Sequence, residues 1–167
     1  MMRAGSARTQ ARGFTLIELL VVVVIIGVTI ALAGAQLMRS PAEEVRDESE
    51  RLALLLQAAR DESIMQGRVF AFGAGRESYR FLRLERDGKL KIAGNDELLR
   101  PRQLPAGIAI ESLLIEGAGA DDAQQPKGVV FLPSGDLPGF RIVLSGRGAR
   151  WSVVGAPDGS IRAQAPS

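Results

Sequence analysis

The sequence predicts an α+β chain, with a long N-terminal hydrophobic helix continuing into an amphipathic helix packed on antiparallel β-sheet. Three observations carry that expectation. An apolar run fills "ARGFTLIELLVVVVIIGVTIALAGAQLM", residues 11–38. Apolar residues then recur at three- and four-residue spacing after Ser40-Pro41, and beyond Gly67 the pattern becomes short extended runs punctuated by glycine turns.

Within the apolar run, the 17 residues from Leu19 to Ala35 are broken only by Thr29. A helix from Phe14 to Met38 would measure about 37 Å at roughly 1.5 Å per residue, enough to cross a bilayer core of ~30 Å with some tilt. Arg3, Arg8 and Arg12 precede it and no basic residue lies inside it, so the N-terminus should stay cytoplasmic and the body be exported. A plain membrane anchor and a secretory signal compete as readings. Ala31-Leu32-Ala33 and Ala33-Gly34-Ala35 offer the signal reading its small-residue cleavage sites. Both leave Glu18 without a purpose, since a carboxylate at membrane depth costs a few kcal/mol unless neutralised or paired.

The second element has the form of a capped helix start. Ser40 can cap, Pro41 suits the first helical position, and Glu43 completes a capping box. Val45, Leu52, Leu55, Leu56, Ala59 and Met65 then give an apolar face that ends near Gly67. Pro41 also leaves open whether the two helices join without a kink.

Candidate strands follow at Val69–Phe72, Tyr79–Glu85, Lys89–Ile92, Ile108–Glu116, Val129–Leu132, Phe140–Leu144, Trp151–Val154 and Ser160–Arg162. "FLRLERDGKLKI" and "WSVVGAPDGSIRA" read as hairpins around D-G turns. Residues Gly117 to Lys127 are small and polar only and read as a mobile loop.

Composition narrows the chemistry. The 167 residues contain no Cys and no His, which removes thiolate chemistry and the commonest general base and metal ligand. Three of the 21 basic residues precede Gly13, leaving 18 against 19 acidic ones, and a near-neutral body argues against a general nucleic-acid binder. Asp121, Asp122 and Asp136 lack the ligand spacing of a calcium loop, so they read as acidic loop residues and no metal is expected. Gly73 to Gly75 reads as a turn rather than a phosphate cradle. No serine or lysine is paired with a base, so the expectation is no enzyme and no cofactor.

"RGFTLIELLVVVVIIGV", starting at Arg12, resembles the N-terminus of type IV prepilins and type II secretion pseudopilins, whose signature is G-F-T-L-x-E followed by a hydrophobic helix. The resemblance implies cleavage between Gly13 and Phe14 by a membrane prepilin peptidase, N-methylation of Phe14, and retention of the apolar helix. The physics agrees with it. Cleavage would make Phe14 a cationic amine one helical turn from Glu18, and the Glu18 of one subunit can pair with the Phe14 amine of its neighbour. Residues 1–13 would then be a cleaved leader, 14–38 the transmembrane and assembly helix, 39–67 the amphipathic helix, and 68–167 a periplasmic β-rich domain.

"VVFLPSGDLPGFRIVLSGRGARWSVVGAPDGSI" resembles the C-terminal half of the GspH/FimT class, and "YRFLRL" and "RQLPAGIAIE" resemble its central strands. What this implies is a minor pseudopilin near the tip of a type II secretion pseudopilus in the bacterial inner membrane. Its partners would be other minor and major pseudopilins, the inner-membrane platform and the peptidase. The alternative is a FimT-like minor pilin of a type IV pilus that binds DNA. Some proteins of that kind carry a G-R-x-R element, and here Arg147 and Arg150 stand between two expected strands, with Arg141 and Arg162 as candidates to join them. The spacing differs by one residue, and two arginines in a solvated turn neutralise too few phosphates for tight binding.

Overall fold

In the computed structural model, the described residues are 15–37, 40–93, 97–117 and 128–165, with only the backbone described for 32–37. The chain divides into two compact units after Arg39. The first holds helix α1, Leu16–Leu37. The second holds helix α2, Pro41–Gln66, followed by strands β1 (Phe70–Ala74), β2 (Ser78–Leu84), β3 (Leu90–Ile92), β4 (Arg102–Gln103), β5 (Ile108–Ile115), β6 (Gly128–Phe131), β7 (Phe140–Gly146), β8 (Ala149–Gly155) and β9 (Ile161–Gln164). The expected loop at 117–127 lies, past Gly117, outside the described residues.

Helix α2 starts at its own cap. Ser40 is extended (φ −69°, ψ 147°), its hydroxyl accepts from the Glu43 N–H at 3.2 Å, and the Glu43 carboxylate accepts from the Ser40 N–H at 3.0 Å. Ser40 thus caps α2, and the join to α1 runs through residues outside the described part. At the other end Gly67 takes the left-handed conformation (φ 62°), and its N–H donates to Ile64 at 3.3 Å. The buried face runs through Val45, Leu52, Leu56 and Ala59 as the spacing requires. Met65 does not belong to it and is 80% exposed. Six residues beyond Ala59, it lies roughly 160° from the axis of that face at about 100° per residue. Ser63 closes the face instead, its hydroxyl 2.7 Å from the Arg68 carbonyl and 3.0 Å from that of Phe131.

The strands form two antiparallel sheets. One has the order β3-β2-β1-β6 with β4 added against β2; the other has the order β5-β7-β8-β9. Both expected hairpins are present, β2–β3 with Leu82 opposite Ile92 and β8–β9 with Val153 opposite Ala163. Two-residue β4 is the strand that the extended runs did not indicate, because so short a piece has no periodicity. The core lies between α2 and the sheets, filled by Phe70, Phe72, Phe81 and Phe131 from one and Ile142, Leu144 and Val153 from the other.

One polar cluster interrupts that core. Glu48 is 5% exposed on α2, its carboxylate 3.1 Å from Arg51 and 3.5 Å from the hydroxyl of Tyr79, which is itself 2% exposed. Burial first, and the facing Glu48 second, push the Tyr79 phenol up to about 12. The folded state thus keeps its proton where an unfolded tyrosine loses it, above pH ~10. Stability should fall as pH rises from about 10 to about 12, by at most roughly 2–3 kcal/mol. Tyr79→Phe should flatten that alkaline fall relative to the parent, measured as denaturant midpoints across the same range. An unchanged slope would show that Tyr79 does not carry it.

Candidate functional site

Every residue from Thr15 to Ala31 on the first unit is exposed, including the aliphatic side chains of Leu16, Leu19, Val23, Ile26 and Ile30. At roughly 25 cal/mol per Å², an uncovered aliphatic cylinder of this kind must be taken from water by lipid or by other subunits. Thr29 fits such surroundings. Its hydroxyl donates back to the carbonyls of Ile25 and, at 3.1 Å, Ile26, leaving no unmet donor. Among the described residues, no helix is long and apolar enough to cross a membrane. The crossing expected over 14–38 includes residues beyond the described part.

Glu18 sits in the first turn of α1, where its N–H donates to the Thr15 carbonyl at 3.1 Å. That end of a helix favours a carboxylate through the macrodipole. Among the described residues no cation lies within ion-pair distance of it. Gly13 and Phe14 lie outside the described residues, so the geometry of the expected cleavage and pairing is not on view.

The arginines of "SGRGARW" are separated by the fold. Only Arg147 and Gly148 lie between strands, as a two-residue hairpin loop with φ of 46° and 85°, while Arg150 is the second residue of β8 rather than part of the turn. Arg147 extends across Gly107 to Glu44 in the first turn of α2, at 3.5 Å. Arg150 is gripped by both oxygens of Glu111, at 2.9 and 2.8 Å. Glu111 is the extra residue where β5 shifts register against β7, between Ile110 and Ser112. The spacing of the arginines gave no sign of either partner, because Glu44 and Glu111 are 103 and 39 residues away. Each arginine thus already faces a carboxylate. Arg141 and Arg162 stand on β7 and β9 across the same β8 residue, Val154.

The other candidates resolve locally. Asp136 accepts from the Ser134 hydroxyl at 2.8 Å, while Asp121 and Asp122 lie outside the described residues. Among the described residues, no three His, Cys, Asp or Glu side chains come together to hold a metal ion. Gly75 closes the turn between β1 and β2, its N–H donating to the Ser78 carbonyl at 2.7 Å.

An exposed apolar helix headed by one carboxylate, ahead of a capped helix packed on two antiparallel sheets, defines the class: a pilin-like assembly subunit. The comparisons narrow it. Residues 48–159 match the family of type II transport protein GspH, and residues 8–34 match the prokaryotic N-terminal methylation motif. Type II secretion system protein H of Pseudomonas aeruginosa is 34% identical over 147 residues, covering 83% of this chain and 85% of that protein. Its counterpart in Aeromonas hydrophila is 27% identical over 156 residues, covering 83% of this chain and 82% of that protein. Among solved structures, the minor pseudopilin EpsH from the type II secretion system of Vibrio cholerae shares the fold. It has a TM-score of 0.64 at 21% identity, covering 77% of this chain and 98% of that one. The chain belongs to the GspH family of type II transport proteins.

The two ion pairs set an expectation for DNA. The Arg147→Ala/Arg150→Ala double variant should cost at most about 1 kcal/mol per exposed pair. Parent and variant should both fail to retain duplex DNA at physiological salt in a mobility-shift titration. Micromolar, salt-steep binding by the parent that vanishes in the double variant would favour the pilus reading.

Proposed function

We propose that this chain takes a place near the tip of a periplasmic pseudopilus, entering it from the inner membrane through α1. As a GspH-family protein it is a minor pseudopilin of a type II secretion system, a membrane-anchored structural component that assembles with other pseudopilins. The DNA-binding pilus alternative is not favoured. The observation that carries the proposal is α1 itself, an aliphatic helix exposed at every position from Leu16 to Ala31, whose first turn holds one carboxylate without a cation among the described residues. Lipid before assembly and neighbouring helices afterwards would cover that surface. A Phe14 amine, made by a prepilin peptidase cutting after Gly13, would supply the cation from the next subunit. This orientation keeps residues 1–13 cytoplasmic and the domain periplasmic, and makes the inner-membrane platform a further partner. In this reading no residue does catalysis.

Two experiments test these roles separately. Co-expression with a prepilin peptidase should shorten the chain by 13 residues and leave N-methylated Phe14. Gly13→Ala should keep most of the chain as precursor, as read by intact mass. A mature N-terminus at Gly34 or Gln36 would instead establish a secretory signal. Glu18→Leu should be inserted and cleaved as well as the parent, because removing a charge favours the lipid-facing segment. Its co-purification with other pseudopilins should nevertheless drop several-fold, since each neighbouring amine loses its partner. Undiminished co-assembly would remove the pairing role from Glu18.

A further inference from the structure

An antiparallel sheet with one wet face alternates apolar and polar residues along each strand. The β5-β7-β8-β9 sheet does so: its outward row of Ser112, Val143, Ser152 and Gln164 is largely polar. The β3-β2-β1-β6 sheet does not. Its inward residues, Phe70, Phe72, Phe81, Val129 and Phe131, are buried in the core. Its outward row is also apolar in every strand, with Ile92 opposite Leu82, Leu82 opposite Ala71, and Ala71 opposite Val130. The next row places Leu90 opposite Leu84 and continues through Val69, whose carbonyl accepts from the Leu84 N–H at 2.9 Å. Ile92 and Val130, at the two ends of the first row, are 54% and 43% exposed. A sheet that is apolar on both faces is built to be covered on both.

The rim of this face is cationic. Arg80 points outward from β2, and the β2–β3 turn adds Arg86 and Lys89; among the described residues none of the three has a carboxylate within ion-pair distance. Of the nearby carboxylates, Glu85 is already held by Arg83 at 2.7 Å and Arg68 at 3.3 Å, and Asp87, in the same turn, accepts from the Lys89 N–H at 3.1 Å and faces Lys91 at 3.9 Å. A second copy docked face to face would set like charges against each other. Lipid fits poorly too, because the aromatic residues of this sheet point inward and none is left to anchor at a headgroup boundary. Strand addition at β3 is opposed by its three-residue length and its charged Lys91.

Resting on the pseudopilin reading above, we propose that the outer face of the β3-β2-β1-β6 sheet docks an apolar, acid-rimmed surface of a neighbouring pseudopilin in the same assembly. Its size suits that setting. Four strands about 4.8 Å apart and two rows about 7 Å apart give roughly a few hundred Å². A stable complex between free partners buries about 800 Å² on each side. The face is therefore too small to capture a free partner, yet sufficient between subunits already tethered side by side, where effective concentrations reach the mM range.

The absence of cysteine makes the test clean. Full-length Ile92→Cys, Val130→Cys and, on the outer face of the other sheet, Leu114→Cys variants are labelled in membranes with a charged maleimide, with and without the other pseudopilins. The first two should label several-fold more slowly when the other pseudopilins are present, and Leu114→Cys should label at the same rate in both. Adding Arg80→Glu should return labelling of the Ile92→Cys variant toward the unprotected rate. Equal rates with and without partners, in a chain that co-purifies with them, would overturn the docking face and leave the pseudopilin reading standing. Failure to co-purify would instead sink that reading, and with it the proposal. Protection already present in the chain expressed alone would also overturn the proposal. If it fades on dilution in detergent a second copy covers the face, and if it fades on solubilisation lipid does.

Discussion

Leu52 and Leu56 are fully buried on the face of α2, and the rest of the second unit is arranged around that contact. Neither sheet covers the other completely. Helix α2 touches β7, β8 and β9 of one and β1 and β6 of the other, so a single amphipathic stripe joins two sheets into one core. The capping box at Ser40 and the left-handed Gly67 fix where that stripe begins and ends. Arg60 extends the same role beyond the apolar contact. It donates to the Gly135 carbonyl at 3.2 Å, and its guanidinium occupies the space where a Cβ on Gly159 would fall. The helix thereby positions the β6–β7 connection between the sheets and the β8–β9 turn with one side chain.

The same need to remove apolar surface from water also explains what the folded domain leaves unfinished. Among the described residues nothing covers the side chains of α1 through Ala31, and Ile92 and Val130, at the two ends of the apolar outer row of the β3-β2-β1-β6 sheet, stay exposed. In an enzyme such surfaces would be a liability. In the proposed assembly they would be the means of attachment, the helix burying the larger area and the sheet face adding orientation. Charge plays a secondary part at both. Among the described residues Glu18 has no cation and Arg80 no carboxylate within ion-pair distance, and in the proposed assembly each would meet a partner of opposite sign.

The segment around Arg147 shows how tertiary context assigns a motif. Arginine at positive φ is uncommon, and here the turn brings its guanidinium, still largely exposed, to within 3.5 Å of Glu44. The bulge at Glu111 does the same for Arg150. Two cations that the sequence leaves free for phosphate thus become clips between the β7–β8 hairpin and its neighbours.

The helices, most of the strands and both D-G hairpins could be read from the sequence because their signals are local: a capping box, a 3.6-residue period, glycine at tight turns. The apolar run and Glu18 were equally plain, since a charge within an aliphatic segment stands out without any structure. Met65 was misassigned because an apolar side chain near a helix end looks the same on either face until its angle is counted. β4 and the bulge at Glu111 escaped because pairing partners, and not residue types, create them. The outer sheet face was hidden for a related reason. "FLRL" and "VVFL" show missing alternation, but only the register of β3, β2, β1 and β6 lines Ile92, Leu82, Ala71 and Val130 into one continuous surface. Periodicity and composition therefore determined what the elements are. Which side chains share a face depended on strand order and long-range pairing, and those are set by how the elements jointly bury their apolar surface, a property of the folded chain as a whole.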